Sequence, residues 1–261
     1  KNLNINAIEL MPVMEFEGNE SWGYNTAFHM AVDKYYGPEN KLKEFIDLCH
    51  QNEIAVILDL VMNHVMGRSP MNRMWMNDPD KNGWGEPSEE NPYFNEIATH
   101  TYGLGNDFNH QSTYTQYYTQ RVIKHWIENF KIDGIRWDLT KGFTQNCNTQ
   151  DENCTNNYQQ DRVDILKSYA DYSWSLDENH YVIFEHLGGS NEEQQWANYR
   201  LNEGKGIMMW GKTNTPYYQL IMGYSANSNF RYWFKTSRWL MIFCIASRKI
   251  FCQKKNENKN K

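Results

Sequence analysis

The chain has 261 residues, of which 40% are hydrophobic and 22% charged, a balance typical of a globular protein with a well-filled core. Its net charge of −6 argues against a general nucleic-acid binder, and the apolar run LMIFCIA (240–246) is too short to cross a membrane. We therefore expect neither nucleic acid nor a membrane as a partner. The 10 Trp and 17 Tyr residues suit a large core and also suit stacking against sugar rings.

Hydrophobic periodicity predicts strands and helices that alternate along the chain. Short apolar runs predict buried strands, and apolar residues at helical spacing predict helices. The predicted strands are 4–13, 53–64, 131–138, 181–186 and 206–211, and the predicted helices are 39–52, 113–130 and 161–178. Repeated strand–helix units imply an α/β fold with a parallel sheet. The polar stretch 65–112 is too long for a simple connection, which predicts a functional excursion.

Polar side chains collect where three of the predicted strands end. They are Asp59, Asn63 and His64 on one strand, Arg136 and Asp138 on the next, and Glu185 and His186 on a third. In a closed strand–helix barrel, the carboxyl ends of the strands hold the active site. Three such strand ends in register predict that these residues converge.

The stretch GIRWDLTKG (134–142) places a cation and an acid two positions apart. In a strand, this spacing sends Arg136 and Asp138 to the same face and Trp137 to the other. The guanidinium would favour the ionised acid and lower its pKa, so Asp138 could act as a base or nucleophile. The alternative is a structural ion pair, and the Arg-x-Asp spacing alone leaves both open.

Three segments resemble the alpha-amylase clan, glycoside hydrolase family 13. DLVMNH (59–64), GIRWDLTKG (134–142) and VIFEH (182–186) are similar to its first three signature segments, in the same order. AIELMPV (7–13) and SWGYN (21–25) also look like the second-strand region of amylase and glucan-branching members. The resemblance implies a partial TIM (β/α)8-type barrel, about strands two to six. Residues 1–234 would form this partial catalytic domain, with 65–112 as a long excursion after the third strand. The first barrel strand is expected to precede Lys1.

The resemblance implies a role for each matching residue. Asp138 would be the nucleophile, Glu185 the general acid/base, and Arg136 the cation that keeps the nucleophile ionised. Asp59 would be a structural acid tied to the arginine. Residues implied to bind substrate are Tyr24, His64, Arg136, Lys141 and His186. Taken singly, a residue like His64 is more often a strand-end histidine with its hydrogen bonds satisfied, and one like Tyr24 a half-buried loop aromatic; only their occurrence together with the other residues favours substrate binding.

No cofactor is required by the implied chemistry, but calcium is an open expectation. Asn63 falls on a position that often binds calcium in the family, and Asp107 is a second candidate ligand. The second signature often ends in Lys-His, whereas this chain reads Lys141-Gly142, which weakens the expectation. Cys147 and Cys154 flank a polar stretch and could close a small loop or remain free thiols.

One element of the family pattern is missing. The family uses a third acid, an Asp that follows a His near the seventh strand, yet this sequence contains no Asp after Asp177. The resemblance ends near Phe230, and the tail 235–261 carries eight Lys or Arg residues and one acid, Glu257. We expect this tail to be foreign to the domain and not to form further barrel strands.

Three functions fit these observations. The first is a retaining glycoside hydrolase acting on alpha-1,4-glucans, with this chain inactive as written because the third acid is absent. The second is a glucan-branching transglycosidase of the same clan. The third is a glucan-binding remnant without catalysis. The expected partner in each case is an alpha-glucan, and the sequence does not indicate a compartment.

Overall fold

The structure is a computed structural model, and it describes residues 5–211 and 221–223. Five parallel strands form its central sheet in chain order. They are β1 (Ala7–Leu10), β2 (Ala55–Leu60), β3 (Gly134–Trp137), β4 (Tyr181–Phe184) and β5 (Met208–Met209). Each strand pairs with the next one along the chain, which is the arrangement of consecutive strand–helix units. The predicted tail 235–261 lies outside the described residues.

Four helices connect or follow these strands. They are α1 (Glu39–Gln51), α2 (Thr113–Lys124), α3 (Gln160–Leu176) and α4 (Ser190–Ala197). The stripe predicted over 113–130 continues past α2 as a turn of π-helix, His125–Asn129, which keeps Trp126 buried. Within the described ranges, no helix has the length and apolarity needed to span a membrane.

Side chains along the strands alternate between two environments. Val56, Leu58 and Leu60 on β2 belong to the core that the helices also line. Ile57 and Asp59, the residues between them, are buried but lie outside that core cluster. The period of two therefore gives the sheet a helix-facing side and an inner side, and Asp59 lies on the inner side.

Aromatic packing fixes the helices on the outer side of the sheet. The Trp137 ring stacks on Tyr169 of α3 at a centroid distance of 5.5 Å and an interplanar angle of 5°. The Phe184 ring meets Trp196 of α4 edge-on at 5.4 Å. All four side chains are fully buried. These contacts fix the positions of β3 and β4 relative to α3 and α4. The predicted catalytic residues Asp138 and Glu185 follow directly after these two strands.

Two irregular regions flank β2. Before α1, an antiparallel pair, Met14–Phe16 with Thr26–Val32, frames the loop that carries Tyr24. After β2, the predicted excursion contains a short helix and two further antiparallel pairs. These are the helix Pro70–Arg73, the pair His64–Val65 with Asn106–Asp107, and the pair Met76–Asn77 with Glu86–Pro87.

The two cysteines whose state the sequence left open are joined. Cys147 and Cys154 form a disulfide between residues that lie seven positions apart. The short helix Glu152–Asn156 contains Cys154, and Asp151 caps its start by accepting a hydrogen bond from the Cys154 amide. The disulfide therefore tethers this helix to the segment that follows β3.

Candidate active site

One guanidinium gathers three carboxylates at the ends of β2, β3 and β4. Arg136 Nη1 donates to Asp59 Oδ1 at 2.7 Å and to Asp138 Oδ1 at 2.8 Å. Arg136 Nη2 lies 3.1 Å from Glu185 Oε1. The Arg136 side chain is 5% exposed, so these ion pairs form away from bulk water, where they are strong. The structure thus brings together four residues that the strand-end argument expected to converge.

The sheet register places these residues. Asp59 on β2 stands opposite Arg136 on β3, which stands opposite Ile183 on β4. The ladder continues beyond the strands, because the Asp138 amide donates to Leu60 O at 3.0 Å and the Glu185 amide donates to Trp137 O at 2.9 Å. Both catalytic candidates therefore sit on backbone that hydrogen bonds hold rigidly.

Asp138 and Glu185 influence each other's protonation. Burial is the largest cause for both groups and raises each pKa, while Arg136 opposes it. The negative charge of Asp138 raises the pKa of Glu185 further. A protonated Glu185 beside an ionised Asp138 is therefore the expected pairing of these two groups.

The pKa of Asp138 corrects one expectation. The sequence argument predicted that Arg136 would lower this pKa below its ordinary value. Arg136 does act in that direction, but burial of the carboxyl has the larger effect, and the net pKa is raised. Arg136 also serves Asp59 and Glu185, so its charge is divided among three acids. A local Arg-x-Asp spacing could not show that competition.

A strained residue orients Glu185. Leu139 has φ +44°, in the left-handed region that residues with a Cβ seldom adopt. This conformation points the Leu139 amide at Glu185 Oε2, to which it donates at 3.0 Å. The Thr140 amide and hydroxyl both donate to Glu185 O at 3.0 Å. Backbone strain at this point has a direct structural use, since it aims a donor at the carboxylate.

Tyr24 completes one side of the site. Its hydroxyl donates to Asp59 Oδ2 at 2.8 Å, and its ring centroid lies 6.0 Å from Arg136 Cζ. The hydrogen bond and Arg136 both lower the pKa of Asp59, but burial outweighs them and raises it to about 6. Tyr24 is half-buried, and its stacking on a sugar ring stays a prediction of the resemblance.

Trp210 is a site residue that the sequence argument missed. It follows β5, and its ring centroid lies 5.3 Å from Arg136 Cζ, within cation–π range. The segment GIMMWG had been predicted only as a strand. Strand alternation could have indicated Trp210. Met209 belongs to the helix-facing core, so its neighbour Trp210 must face the inner side.

Two histidines expected to contact substrate are engaged elsewhere. His64 is buried, and its Nε2 lies 2.8 Å from the Tyr24 carbonyl oxygen, so it fixes the Tyr24 loop. His186 is also buried, with Nδ1 3.3 Å from Thr140 Oγ1 and Nε2 3.0 Å from Glu192 Oε2. His186 is therefore a correction: alternation turns it toward the helices while Glu185 faces inward, and both its ring nitrogens are occupied.

Lys141 lies at the edge of this constellation. Its Nζ donates to Asn156 Oδ1 at 2.7 Å and stands 5.0 Å from the centre of the Tyr102 ring. The structure thus ties the predicted substrate-binding lysine to the helix that the disulfide tethers. It is not among the groups that contact Arg136.

The candidate calcium ligands do not fit a calcium ion. Calcium takes six to eight oxygen ligands. Asp107 already accepts hydrogen bonds from Asn95 Nδ2 at 2.7 Å, from the Thr99 amide at 3.1 Å and from His100 Nε2 at 3.1 Å. Asn63 Oδ1 is buried and lacks a partner in the described part of the chain, but it is a single amide oxygen. No cluster of three or more His, Cys, Asp or Glu residues suited to a metal occurs within 5–211 or 221–223.

Gly142 packs directly against the side-chain oxygen of Asn63. A Cβ on Gly142 would lie 1.5 Å from Asn63 Oδ1 and 2.7 Å from His100 Nε2. Where the family often carries Lys-His, this chain has a glycine packed directly against the amide oxygen.

Known proteins share this architecture. Among solved structures, a Bacillus licheniformis trehalose-6-phosphate hydrolase matches with a TM-score of 0.61 at 15% identity, covering 79% of this chain and 42% of that one. An Anoxybacillus alpha-amylase matches with a TM-score of 0.56 at 19% identity, covering 80% and 41%. At such identities, the likeness shows the fold, which is that of TIM-barrel alpha-amylases.

Sequence comparison is more specific. A malto-oligosyltrehalose trehalohydrolase from Saccharolobus solfataricus is 30% identical over 147 residues, which are 56% of this chain and 24% of that protein. A 1,4-alpha-glucan branching enzyme from Halothermothrix orenii is 27% identical over 243 residues, which are 86% of this chain and 37% of that protein. This chain therefore spans well under half the length of these relatives.

The family itself is established by a match over most of the chain. The model of the alpha-amylase catalytic domain matches residues 1–210, which include every residue of the Arg136 cluster. The order of the three signature segments, the parallel strand–helix units and the shared guanidinium all agree with that match. The chain belongs to the alpha-amylase family, glycoside hydrolase family 13.

Proposed function

We propose that the chain carries the catalytic pair of a retaining enzyme that acts on alpha-1,4-glucans. The observation that carries the proposal is the single guanidinium of Arg136, which binds both Asp138 and Glu185. Retaining glycosidases need two carboxyl groups about 5–5.5 Å apart, whereas inverting enzymes separate them by about 6.5–9.5 Å to admit a water. Carboxyls that share one cation favour the closer spacing of the retaining geometry.

The proposed reaction gives each of the two carboxyl groups one role. An Asp138 oxygen attacks the anomeric carbon of the glucan, and the bond from that carbon to the glycosidic oxygen breaks. The departing oxygen takes the proton from Glu185. Glu185, now ionised, then removes a proton from the incoming hydroxyl, whose oxygen displaces Asp138 from the sugar. No metal ion enters these steps, and Arg136 stabilises the charges that they leave on the two carboxylates.

The five strands of the sheet, in this proposal, correspond to the second through sixth strands of an eight-stranded barrel. The strand order and the positions of the signature segments support this assignment. Residues 65–112 would then be the excursion that follows the third barrel strand. The inner side of the sheet would form part of the barrel interior.

Hydrolysis and branch transfer differ only in the incoming hydroxyl, which is water in the first and a sugar hydroxyl in the second. The match to a branching enzyme over 86% of the chain supports transfer as a second candidate. Incubation with maltoheptaose, followed by separation of linear from alpha-1,6-branched products, distinguishes them. Products that are only shorter support the hydrolase, and branched products support the transferase.

Trapping of the glycosyl intermediate tests the proposal directly. The purified chain is incubated with 5-fluoro-alpha-glucosyl fluoride, whose fluoride leaves without help from an acid, and the intact protein is weighed by mass spectrometry. We expect one added glycosyl group in the unmodified chain and in Glu185→Gln, and none in Asp138→Asn. The asparagine amide is close in shape to the acid but cannot form the ester.

Two outcomes would count against the proposal. Labelling of Asp138→Asn would mean that another residue is the nucleophile. Binding of maltoheptaose by calorimetry, with no labelling of any variant, would favour a glucan-binding remnant without catalysis. A folded Asp138→Asn variant that still binds maltoheptaose is the matched control for the first measurement.

A further inference from the structure

Glu9 is an acid of the inner side that the proposed reaction does not use. On β1, its neighbours Ile8 and Leu10 pack against the helix-facing core, so alternation turns the Glu9 side chain inward. Its Oε2 is buried and has no hydrogen-bond partner in the described part of the chain. A buried carboxylate oxygen without a partner is costly, so its retention here needs an explanation.

The register places Glu9 in one barrel layer with Arg136. Glu9 stands opposite Ile57, and Ile57 stands opposite Gly134. In a strand–helix barrel, each layer takes side chains from alternate strands, and strand tilt displaces the members along the register. Gly134 on β3 is thus level with Glu9 in the register. If strand tilt moves the layer two residues toward the carboxyl end between β1 and β3, the member of the layer on β3 is Arg136.

The same displacement can be checked on the next alternate strand. Arg136 stands opposite Ile183, and Ile183 stands opposite Met208 on β5. Two residues further on is Trp210, whose ring does lie against Arg136 at 5.3 Å. The layer therefore contains Glu9, Arg136 and Trp210, one from every second strand. In agreement, Arg136 lowers the pKa of Glu9, while burial, the larger cause, raises it.

Arg136 has one buried donor to spare in this layer. Its Nη1 and Nη2 atoms serve Asp59, Asp138 and Glu185, but its Nε has no partner in the described part of the chain. Glu9 Oε2 is the matching unused acceptor. A buried donor and a buried acceptor in one layer of a barrel are complementary, and a single water can join such groups when they do not touch.

We propose that Glu9 is a positioning residue, which holds the Nε end of Arg136 from the layer that the two share. Its carboxyl accepts from Nε–H across one water and so fixes the plane of the guanidinium. The other two nitrogens then meet Asp138 and Glu185 at constant geometry. This inference rests on the proposed function for its consequence in catalysis, but the contact itself does not depend on activity.

Hydrogen exchange of the Arg136 side chain tests the contact. The Nε–H signal is observed by 15N NMR and assigned by its loss in Arg136→Lys. We expect slow exchange in the unmodified chain compared with Arg68, which is exposed. Glu9→Leu and Glu9→Ala remove the acceptor and should speed the exchange about tenfold, the equivalent of one hydrogen bond to a charged group. Glu9→Gln keeps an acceptor oxygen and should stay close to the unmodified rate.

The controls make the test decisive. Glu44→Leu, on the exposed surface of α1, should leave the exchange rate unchanged. Two acceptor-free variants of different size guard against the failure of either one to fold. An Nε–H that exchanges as fast as that of Arg68 in the unmodified chain would overturn the proposal. So would an unchanged rate in the folded Glu9→Leu or Glu9→Ala variant.

The trapping reaction then tests the consequence. With Arg136 loosened, Glu9→Leu should form the glycosyl intermediate about tenfold more slowly than the unmodified chain, and Glu9→Gln should recover most of the rate. Equal trapping rates in all variants would contradict a positioning role. No trapping in the unmodified chain would instead contradict the proposed function, while the exchange measurement would still decide the role of Glu9.

Discussion

Arg136 sets the charge balance of the site. Its single positive charge faces Asp59, Asp138 and Glu185 directly, and Glu9 electrostatically. One buried cation cannot stabilise four ionised carboxylates, so the acids compete for it, and the pKa of each is raised by burial. A site built in this way keeps its protons to a higher pH than isolated carboxyl groups do. That property is what an acid catalyst needs.

The first prediction concerns Tyr24→Phe. The Tyr24 hydroxyl donates to Asp59 Oδ2 and so lowers the Asp59 pKa. Removing the donor should raise that pKa above its present value of about 6. A hydrogen bond to a charged group corresponds to roughly one pKa unit. The measurement is a 13C NMR titration of the carboxyl carbons, with the Asp59 signal assigned by its loss in Asp59→Asn.

Tyr102→Phe is the matched control for this titration. Its hydroxyl donates to Glu152 Oε1 at the exposed surface, so its loss should not alter the Asp59 titration. An Asp59 pKa that is unchanged or lowered in Tyr24→Phe would contradict the prediction. It would mean that Arg136 alone sets the protonation of Asp59.

At the scale of single residues, the sequence was sufficient to find the residues that a short motif and strand alternation identify. Arg136, Asp138 and Glu185 stand at strand ends, where a short motif and period-two alternation are sufficient. The same alternation, applied one residue further, would have turned His186 away from the site and turned Trp210 toward it. Glu9 could not be found in this way, because its relation to Arg136 depends on register across three strands.

At the scale of elements, α4 begins with two adjacent glutamates in opposite electrostatic settings. Glu192 meets Arg162, which is 0% exposed, through Nε at 2.8 Å and Nη2 at 2.7 Å, and it also meets His186. These partners lower the pKa of Glu192 although burial opposes them. Around Glu193, burial outweighs the opposing charge of Lys141 and raises the pKa to about 7. The two should therefore respond to pH in opposite ways.

The second prediction compares Glu193→Gln with Glu192→Gln. The folded pKa of Glu193 is raised, so its stabilising contribution is present below pH 4.5 and is lost as pH rises through about 7. Glu193→Gln should thus match the parent at pH 4 and exceed its free energy of unfolding by roughly 3 kcal/mol at pH 8. Urea unfolding at both pH values measures this difference.

Glu192→Gln should show the reverse. The folded pKa of Glu192 is lowered, so its contribution is present above 4.5 and is lost as pH falls through the lower folded value. The variant leaves buried Arg162 without its carboxylate, which should cost about 3–5 kcal/mol at pH 8 and less in acid. If both variants changed stability with pH in the same direction, the charged partners of Glu192 and the burial of Glu193 would not be what sets the pH dependence of stability.

The order and type of the strands and helices were predictable from the sequence, but their first and last residues were not. Strands predicted over 4–13 and 53–64 occupy only Ala7–Leu10 and Ala55–Leu60, because apolar content continues beyond the paired backbone into buried loops. Helix predictions were closer, as in 39–52 against Glu39–Gln51, since a helix ends where its own hydrogen bonds end. The excursion gave no periodic signal, because its short pairs are defined by turns and by Asn and Asp contacts.

For the whole molecule, the described strands supply two of the three acids that the family uses in catalysis. In the proposed function, Asp138 and Glu185 would supply attack and proton transfer, whereas the third acid of the family would clamp the sugar hydroxyls in the transition state. No Asp occurs after Asp177, where the family pattern would place that acid. The site should therefore bind a glucan and accept its anomeric carbon, while stabilising the transition state poorly.

The third prediction is that the 261-residue chain turns over starch slowly. Loss of a group that acts only in the transition state lowers kcat directly, so we expect a rate at least about a thousandfold below the typical enzyme value of about 10 s⁻¹. Release of reducing sugar from soluble starch is the measurement, and Asp138→Asn sets the background. Maltoheptaose binding should survive in both proteins, because binding is spread over rings such as Tyr24 and Trp210 rather than over the reacting atoms. Turnover at an ordinary amylase rate would contradict the prediction and would require another carboxyl of the chain to act as the clamp.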